Sequence, residues 1–159
     1  MNITFDRARF GIYLKIGLAY LLIFLVEISI RNPESFLPRA VNTIWRTPYI
    51  IFINIIFLEY VLPYIKLSWK RILIAPLLIM FQIFLCSLGL YLWRSIGIQL
   101  GVHTSLINYE SIKEGIGIQT GVGFFSLFFF GIIKHVYDYR KLKQSAQLLR
   151  IQKQEAELN

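Results

Sequence analysis

Among 159 residues, Glu59 has the type and setting that most suggest chemistry. It stands inside an apolar run, FINIIFLEYVL, toward one end of it. A carboxylate surrounded by hydrocarbon costs on the order of a few kcal/mol unless it is paired or neutralised. Such a group can carry a proton or a cation, act as a sensing switch, or serve as a structural partner for a basic residue at the same depth. Lys15, in the first apolar run, is the partner the sequence offers for that last role. Asn54 and Gln82 are polar groups within the second and third apolar runs. They suit hydrogen bonds between helices, worth about 0.6 kcal/mol each in a bilayer, or a ligand site. Gly117 and Gly121 form a small-xxx-small pair in GIQTG, and Gly97 and Gly101 repeat the spacing in GIQLG. Such pairs let helix backbones approach closely, as a dimer contact, a hinge or tight packing within one bundle.

The remaining reactive residue types give no site. His103 and His135 are far apart in sequence. His103 is expected in a loop, where it could titrate near neutrality, and His135 at a membrane interface. Cys86 is the lone cysteine, so neither an internal disulfide nor a cysteine metal cluster is expected, and it reads as a small apolar residue. The sequence has no HExxH, nucleophile elbow, Walker A loop or paired-cysteine spacing. We therefore expect no catalytic residue, metal ligand or cofactor in this chain.

What positions these residues is an apolar framework. Hydrophobic residues make up 56% and aromatics 16% of the chain, and the mean hydropathy is +0.57. Soluble domains run closer to about 45–50% apolar. The excess falls in four blocks, at 10–30, 47–67, 72–93 and 116–137. Each is long enough to cross a hydrocarbon core of about 30 Å, which takes roughly 20 helical residues. The fold class expected is all-α: four transmembrane helices and a C-terminal cytoplasmic coiled-coil helix. The first block follows Arg7 and Arg9 and lacks a small-residue cleavage site after it, so it reads as a retained signal anchor. Residues 31–46 read as a polar connector punctuated by Pro33 and Pro38. Pro48 suits the first turn of the second helix and Pro63 its kink or end. Lys66, Ser68, Lys70 and Arg71 make a tight basic hairpin, and 94–115 is the longest loop.

The net charge is +8. It is expected to orient helices rather than to bind nucleic acid, because no aromatic-interleaved basic stretch lies outside the apolar blocks. With the N-terminus in the cytoplasm, only Arg31, Arg39, Arg46, Arg94 and Lys113 of the 17 Lys and Arg residues fall outside. That asymmetry predicts a multi-pass membrane protein with both termini cytoplasmic. Trp45, Tyr49, Tyr91 and Trp93 would mark the outer interface. Tyr64, Trp69, Tyr137 and Tyr139 would mark the inner one. Two units follow: a membrane module at 1–137 and a signalling helix at 138–159. The latter is rich in helix formers and free of Gly and Pro. Tyr139, Leu142, Ala146, Leu149, Lys153 and Ala156 alternate by three and four, the seam of a coiled coil, and imply a homodimer. Leu148, Ile151 and Leu158 form a competing stripe. The seam continues from the fourth block, predicting one long helix from membrane to cytosol.

The ending KLKQSAQLLRIQKQEAELN resembles the linker helix of bacterial sensor histidine kinases with an NPHF-type phosphoacceptor segment. In that family a multi-helix membrane module leads into a charged helix, and the phosphoacceptor follows an EAEL-type stretch. Glu155-Ala156-Glu157-Leu158 matches the start of that stretch. The resemblance implies the membrane input region of a two-component phosphorelay in a bacterial inner (plasma) membrane, ahead of a kinase core, with a response regulator as downstream partner. Neither histidine stands in a phosphoacceptor context. Two other classes fit the residues: a small transporter or channel with Glu59 as coupling site, and a membrane scaffold whose tail docks a partner.

Overall fold

The structure, a computed structural model, describes the backbone of residues 7–63 and 73–158 and the side chains of 9–63 and 73–157. The expected basic hairpin, Tyr64, Trp69 and the side chains of Arg7 and Leu158 lie outside these. The described chain is helical throughout, with no strand among the described residues. Helix α1 spans Arg7–Arg31, and a 3-10 turn at Pro33–Ser35 leads into α2 at Phe36–Ile56. A π-helical turn, Phe57–Val61, extends α2. Helix α3 spans Ala75–Gln99 and α4 spans Ile112–Leu158. Among the described residues, four helices are long and apolar enough to cross a membrane.

The connector expected at 31–46 is mostly helix. Ala40, Thr43, Thr47, Ile50 and Asn54 are buried at three- and four-residue spacing, so one face of α2 enters the bundle well before the apolar block begins. The Thr43 and Thr47 hydroxyls donate to the carbonyls of Arg39 and Thr43 at 2.9 and 2.7 Å, which spares them unmet polarity. Pro38, rather than Pro48, therefore occupies the first turn, and Pro48 lies inside the helix. α2 is also the central helix. In its most apolar window 39% of the residues are buried, against 22% in the other three spans, and it touches all of them.

The core is aromatic and aliphatic: Tyr13, Ile16, Tyr20, Ile50, Phe57, Leu58, Cys86, Leu90 and Phe130. Leu18, Leu22, Phe52, Leu77, Met80 and Phe128 point outward and are exposed. Large apolar side chains on the outside are a liability in water and the ordinary condition in lipid.

The loop between α3 and α4 is tightly fastened. α3 ends in a Schellman motif: the Val102 N–H donates to the Gly97 carbonyl at 2.9 Å and the Gly101 N–H to Ile98 at 3.1 Å. Gly101, at φ 72°, takes the left-handed position that L side chains avoid. Asn42 on α2 grips Thr104 with two hydrogen bonds of 2.9 Å. α4 starts with a capping pair, as the Glu114 N–H donates to Ser111 Oγ at 3.2 Å and Glu114 Oε2 accepts from the Glu110 N–H at 2.7 Å.

Candidate functional site at Glu59

Pro63 gives Glu59 its local setting. A proline ring inside a helix displaces the carbonyl four residues earlier, here that of Glu59. The π turn at Phe57–Val61 widens the helix at that point. Glu59 faces α1 and α4 at the end of the bundle where α4 emerges.

Three side chains converge on its carboxylate. The Tyr13 hydroxyl donates to Oε1 at 2.7 Å. Arg9 Nη1 lies 3.3 Å from Oε2, and Lys134 Nζ lies 3.3 Å from Oε1. Lys134 in turn donates to Asp138 Oδ2 at 2.6 Å, one helical turn along α4. The arms differ in strength because they differ in burial. The Glu59 and Lys134 side chains are 14% and 16% exposed, whereas Arg9 and Asp138 are 66% and 55% exposed. Solvent screens the outer two, so the Glu59–Lys134 contact dominates. A cavity of about 550 Å³ lies beside the cluster, bordered by Arg9, Glu59, Lys134, His135, Asp138 and Lys141. The arrangement ties α1, α2 and α4 together through one carboxylate.

Lys15 is not part of it. Arg9 and Tyr13 share a face of α1 at four-residue spacing, and Lys15 lies two residues on, about 200° further round the helix. It is exposed and borders a separate groove with Gly11, Ala19 and Tyr137. Arg9, Tyr13, Lys134 and Asp138 were not singled out in the sequence as partners of Glu59. The signal was present as two i, i+4 pairs, Arg9/Tyr13 and Lys134/Asp138, at the same end of the bundle as Glu59.

The other candidates are dispersed. Asn54 and Gln82 are buried in mid-bundle. Asn54 Nδ2 donates to Ser126 Oγ at 3.3 Å, joining α2 to α4, and Gln82 Nε2 donates to the Ile53 carbonyl at 3.1 Å, joining α3 to α2. Both act as polar links between helices. Gly117 and Gly121 face outward, and a Cβ added to either would meet nothing within 4 Å. They do not pack helices within this bundle. The close approaches occur at Gly17, against Ile51, at Gly89, against Tyr49, at Gly97, against Trp45, and at Gly115, against Tyr91 and Tyr109. Leu142, Ala146, Leu149 and Ala156 lie on a stretch of α4 that is exposed among the described residues. Cys86 is buried and free. His135 is exposed beside the Glu59 cavity, and His103 lies at the opposite end of the bundle. Among the described residues, no three His, Cys, Asp or Glu side chains are grouped to hold a metal ion.

No protein family, curated protein or solved structure matches the chain.

Proposed function

We propose that this chain is the membrane input module of a two-component sensor histidine kinase. A stimulus felt by the bundle passes along the C-terminal helix to a kinase core, and from there by phosphorelay to a response regulator. The observation that carries the reading is α4. It is one unbroken helix from Ile112 to Leu158, packed in the bundle over its first half and exposed over its second. At a rise of about 1.5 Å per residue, a shift or rotation of its packed half is delivered undiminished to its far end.

Two further features support it. The Glu59 cluster grips α4 at Lys134, just before the helix leaves its neighbours. A change in the bundle that alters that grip changes the freedom of the emerging helix. Beyond it, Leu142, Ala146 and Leu149 form an exposed apolar stripe, which suits pairing with a second copy in the cytoplasm. Both termini lie on the cytoplasmic side in this reading, and the polar links at Asn54 and Gln82 keep the bundle rigid enough to transmit motion.

The test is disulfide cross-linking in native membranes. Single cysteines replace Leu142, Lys143, Ala146, Gln147 and Leu149 in a Cys86→Ala background. Cross-linking strong at Leu142, Ala146 and Leu149 and weak at Lys143 and Gln147 is expected. Uniform or absent cross-linking would remove the dimeric signalling helix, and the kinase reading with it.

A further inference from the structure

At the end of the bundle remote from Glu59 lies a second, smaller cavity of about 260 Å³. Three guanidinium groups border it: Arg39 and Arg46 from α2 and Arg94 from α3. Arg39, Thr43 and Arg46 follow at four- and three-residue spacing, so one face of α2 presents both arginines to the same space. Among the described residues Glu27 is the one carboxylate bordering the cavity, and Arg31 already holds it at 3.4 Å. The lining is therefore cationic in excess.

The arginines are held as in a site prepared for a ligand. Arg94 donates to Ser105 Oγ and to the Ile107 carbonyl, and its guanidinium stacks 4.1 Å above the Tyr109 ring. Arg39 donates through Nε to Ser35 Oγ at 2.8 Å, which leaves its terminal nitrogens to the cavity. Arg46 lies over the Phe24 ring at 5.0 Å. Its Nε is fully buried and has no hydrogen-bond partner among the described residues. His103 Nδ1, in the same lining, is likewise buried without a partner. Buried polar atoms in folded proteins are nearly always bonded, and a buried cationic donor is the costliest to leave unmet. Arg46 Nε is such a donor in the lining of a cavity that Arg39 and Arg94 also border, and it marks a missing acceptor.

We infer that this cavity binds a small oxyanion, a carboxylate or phosphate group, between Arg39, Arg46 and Arg94. Forked guanidinium donors match the paired oxygens of such groups. The neighbouring Trp45 and Trp93, stacked at 4.9 Å and exchanging hydrogen bonds of 3.0 and 2.8 Å with each other's carbonyls, form a rigid wall. The anion arrives either as a free solute or as the headgroup of a lipid in the adjoining leaflet. The claim is independent of the kinase reading, since a transporter or scaffold could hold the same site.

The test uses the full chain in nanodiscs. Of its three tryptophans, two form the cavity wall, and a Trp69→Phe background isolates them. Their fluorescence is followed in phosphatidylcholine discs against inorganic phosphate and succinate, with sodium chloride matching the ionic strength. It is followed separately as phosphatidylglycerol replaces phosphatidylcholine. Saturable change with phosphate or succinate supports a free oxyanion. Saturation only with phosphatidylglycerol supports a headgroup. Arg46→Gln should weaken either response about tenfold, the loss of one charge-assisted pair. Arg39→Gln, at the half-exposed rim, should weaken it with the fold intact, and so remains informative if Arg46→Gln does not fold. Responses that match sodium chloride in both lipids, or that Arg39→Gln leaves unchanged, overturn the inference.

Discussion

Replacing Glu59 by Gln tests the inner cluster most directly. The substitution keeps the shape and removes the charge facing Arg9 and Lys134. At 3.3 Å and an effective dielectric constant of about 20, one ion pair is worth roughly 5 kcal/mol before desolvation. Two corrections lower that. The Arg9 arm is 66% exposed, which limits it to less than about 1 kcal/mol. Lys134 keeps Asp138 at 2.6 Å, so its ammonium is not left unpaired. A glutamine oxygen can still accept from Tyr13. The net destabilisation should be about 2–3 kcal/mol, toward the lower end for breaking a buried pair. Reversible unfolding in mixed micelles with Glu59→Gln, Lys134→Gln and the double variant supplies the cycle, with Arg9→Gln as the control. The coupling between Glu59 and Lys134 should be about 2 kcal/mol, and Arg9→Gln alone should cost less than about 1 kcal/mol. A coupling below about 0.5 kcal/mol, or equal costs for Arg9→Gln and Lys134→Gln, would refute the assignment of the inner contact as dominant.

The glycines make an opposed pair of predictions. Gly89→Ala drives a Cβ into the Tyr49 ring and hydroxyl, which is itself held by the Leu85 carbonyl. It should cost about 1–3 kcal/mol by overpacking, and Tyr49→Leu should recover much of the loss in the same unfolding assay. Gly117→Ala and Gly121→Ala enter open space and should raise the stability of the isolated chain by about 0.5–1 kcal/mol through helix propensity. If they instead lower dimer content on native gels, those glycines lie in a contact between copies. His103 supplies a pH dependence. Burial, then the positive charge of Arg94, push its pKa below the ordinary 6.5; the Thr104 backbone opposes this, and Arg46 adds a smaller lowering. The unfolded chain therefore takes up the proton first. Stability should be full above about pH 6.5 and fall as the pH drops toward the lower folded value. His103→Gln should flatten that slope in thermal unfolding between pH 7 and pH 5.

Much of the architecture can be read along the chain because insertion into a bilayer is a property of each segment. An apolar block of about 20 residues is a spanning helix whatever its neighbours do, and each of the four blocks holds a long helix among the described residues. The continuity of the fourth block with its charged tail was equally legible. Helix formers run from Phe124 to Leu158 without a glycine or proline after Gly131 to stop them. Residues 31–46 were misjudged because hydropathy averages around the helix. A segment with one buried face carrying Ala40 and Thr43 looks polar to a window that also counts Asn42 and Arg46.

Glu59 was visible from its type alone, and its partners were not. Which cation reaches a carboxylate in a bundle depends on the rotation of each helix about its axis, roughly 100° per residue, as well as on depth. Depth can be read from position in a block. Rotation is set by packing, here of Tyr13 and Ile16 in one core with Ile50 and Phe57, which leaves Arg9, though exposed, within reach of Glu59 and turns Lys15 away. The same holds at the other end of the bundle. The sequence assigned Arg39, Arg46 and Arg94 to one side of a membrane, as an excess of charge would. Only the packing of α2 against α3 and the folded 100–111 loop gathered them around one space, because Arg94, far in the chain from Arg39 and Arg46, shares their site only when backbone geometry brings the two helices together.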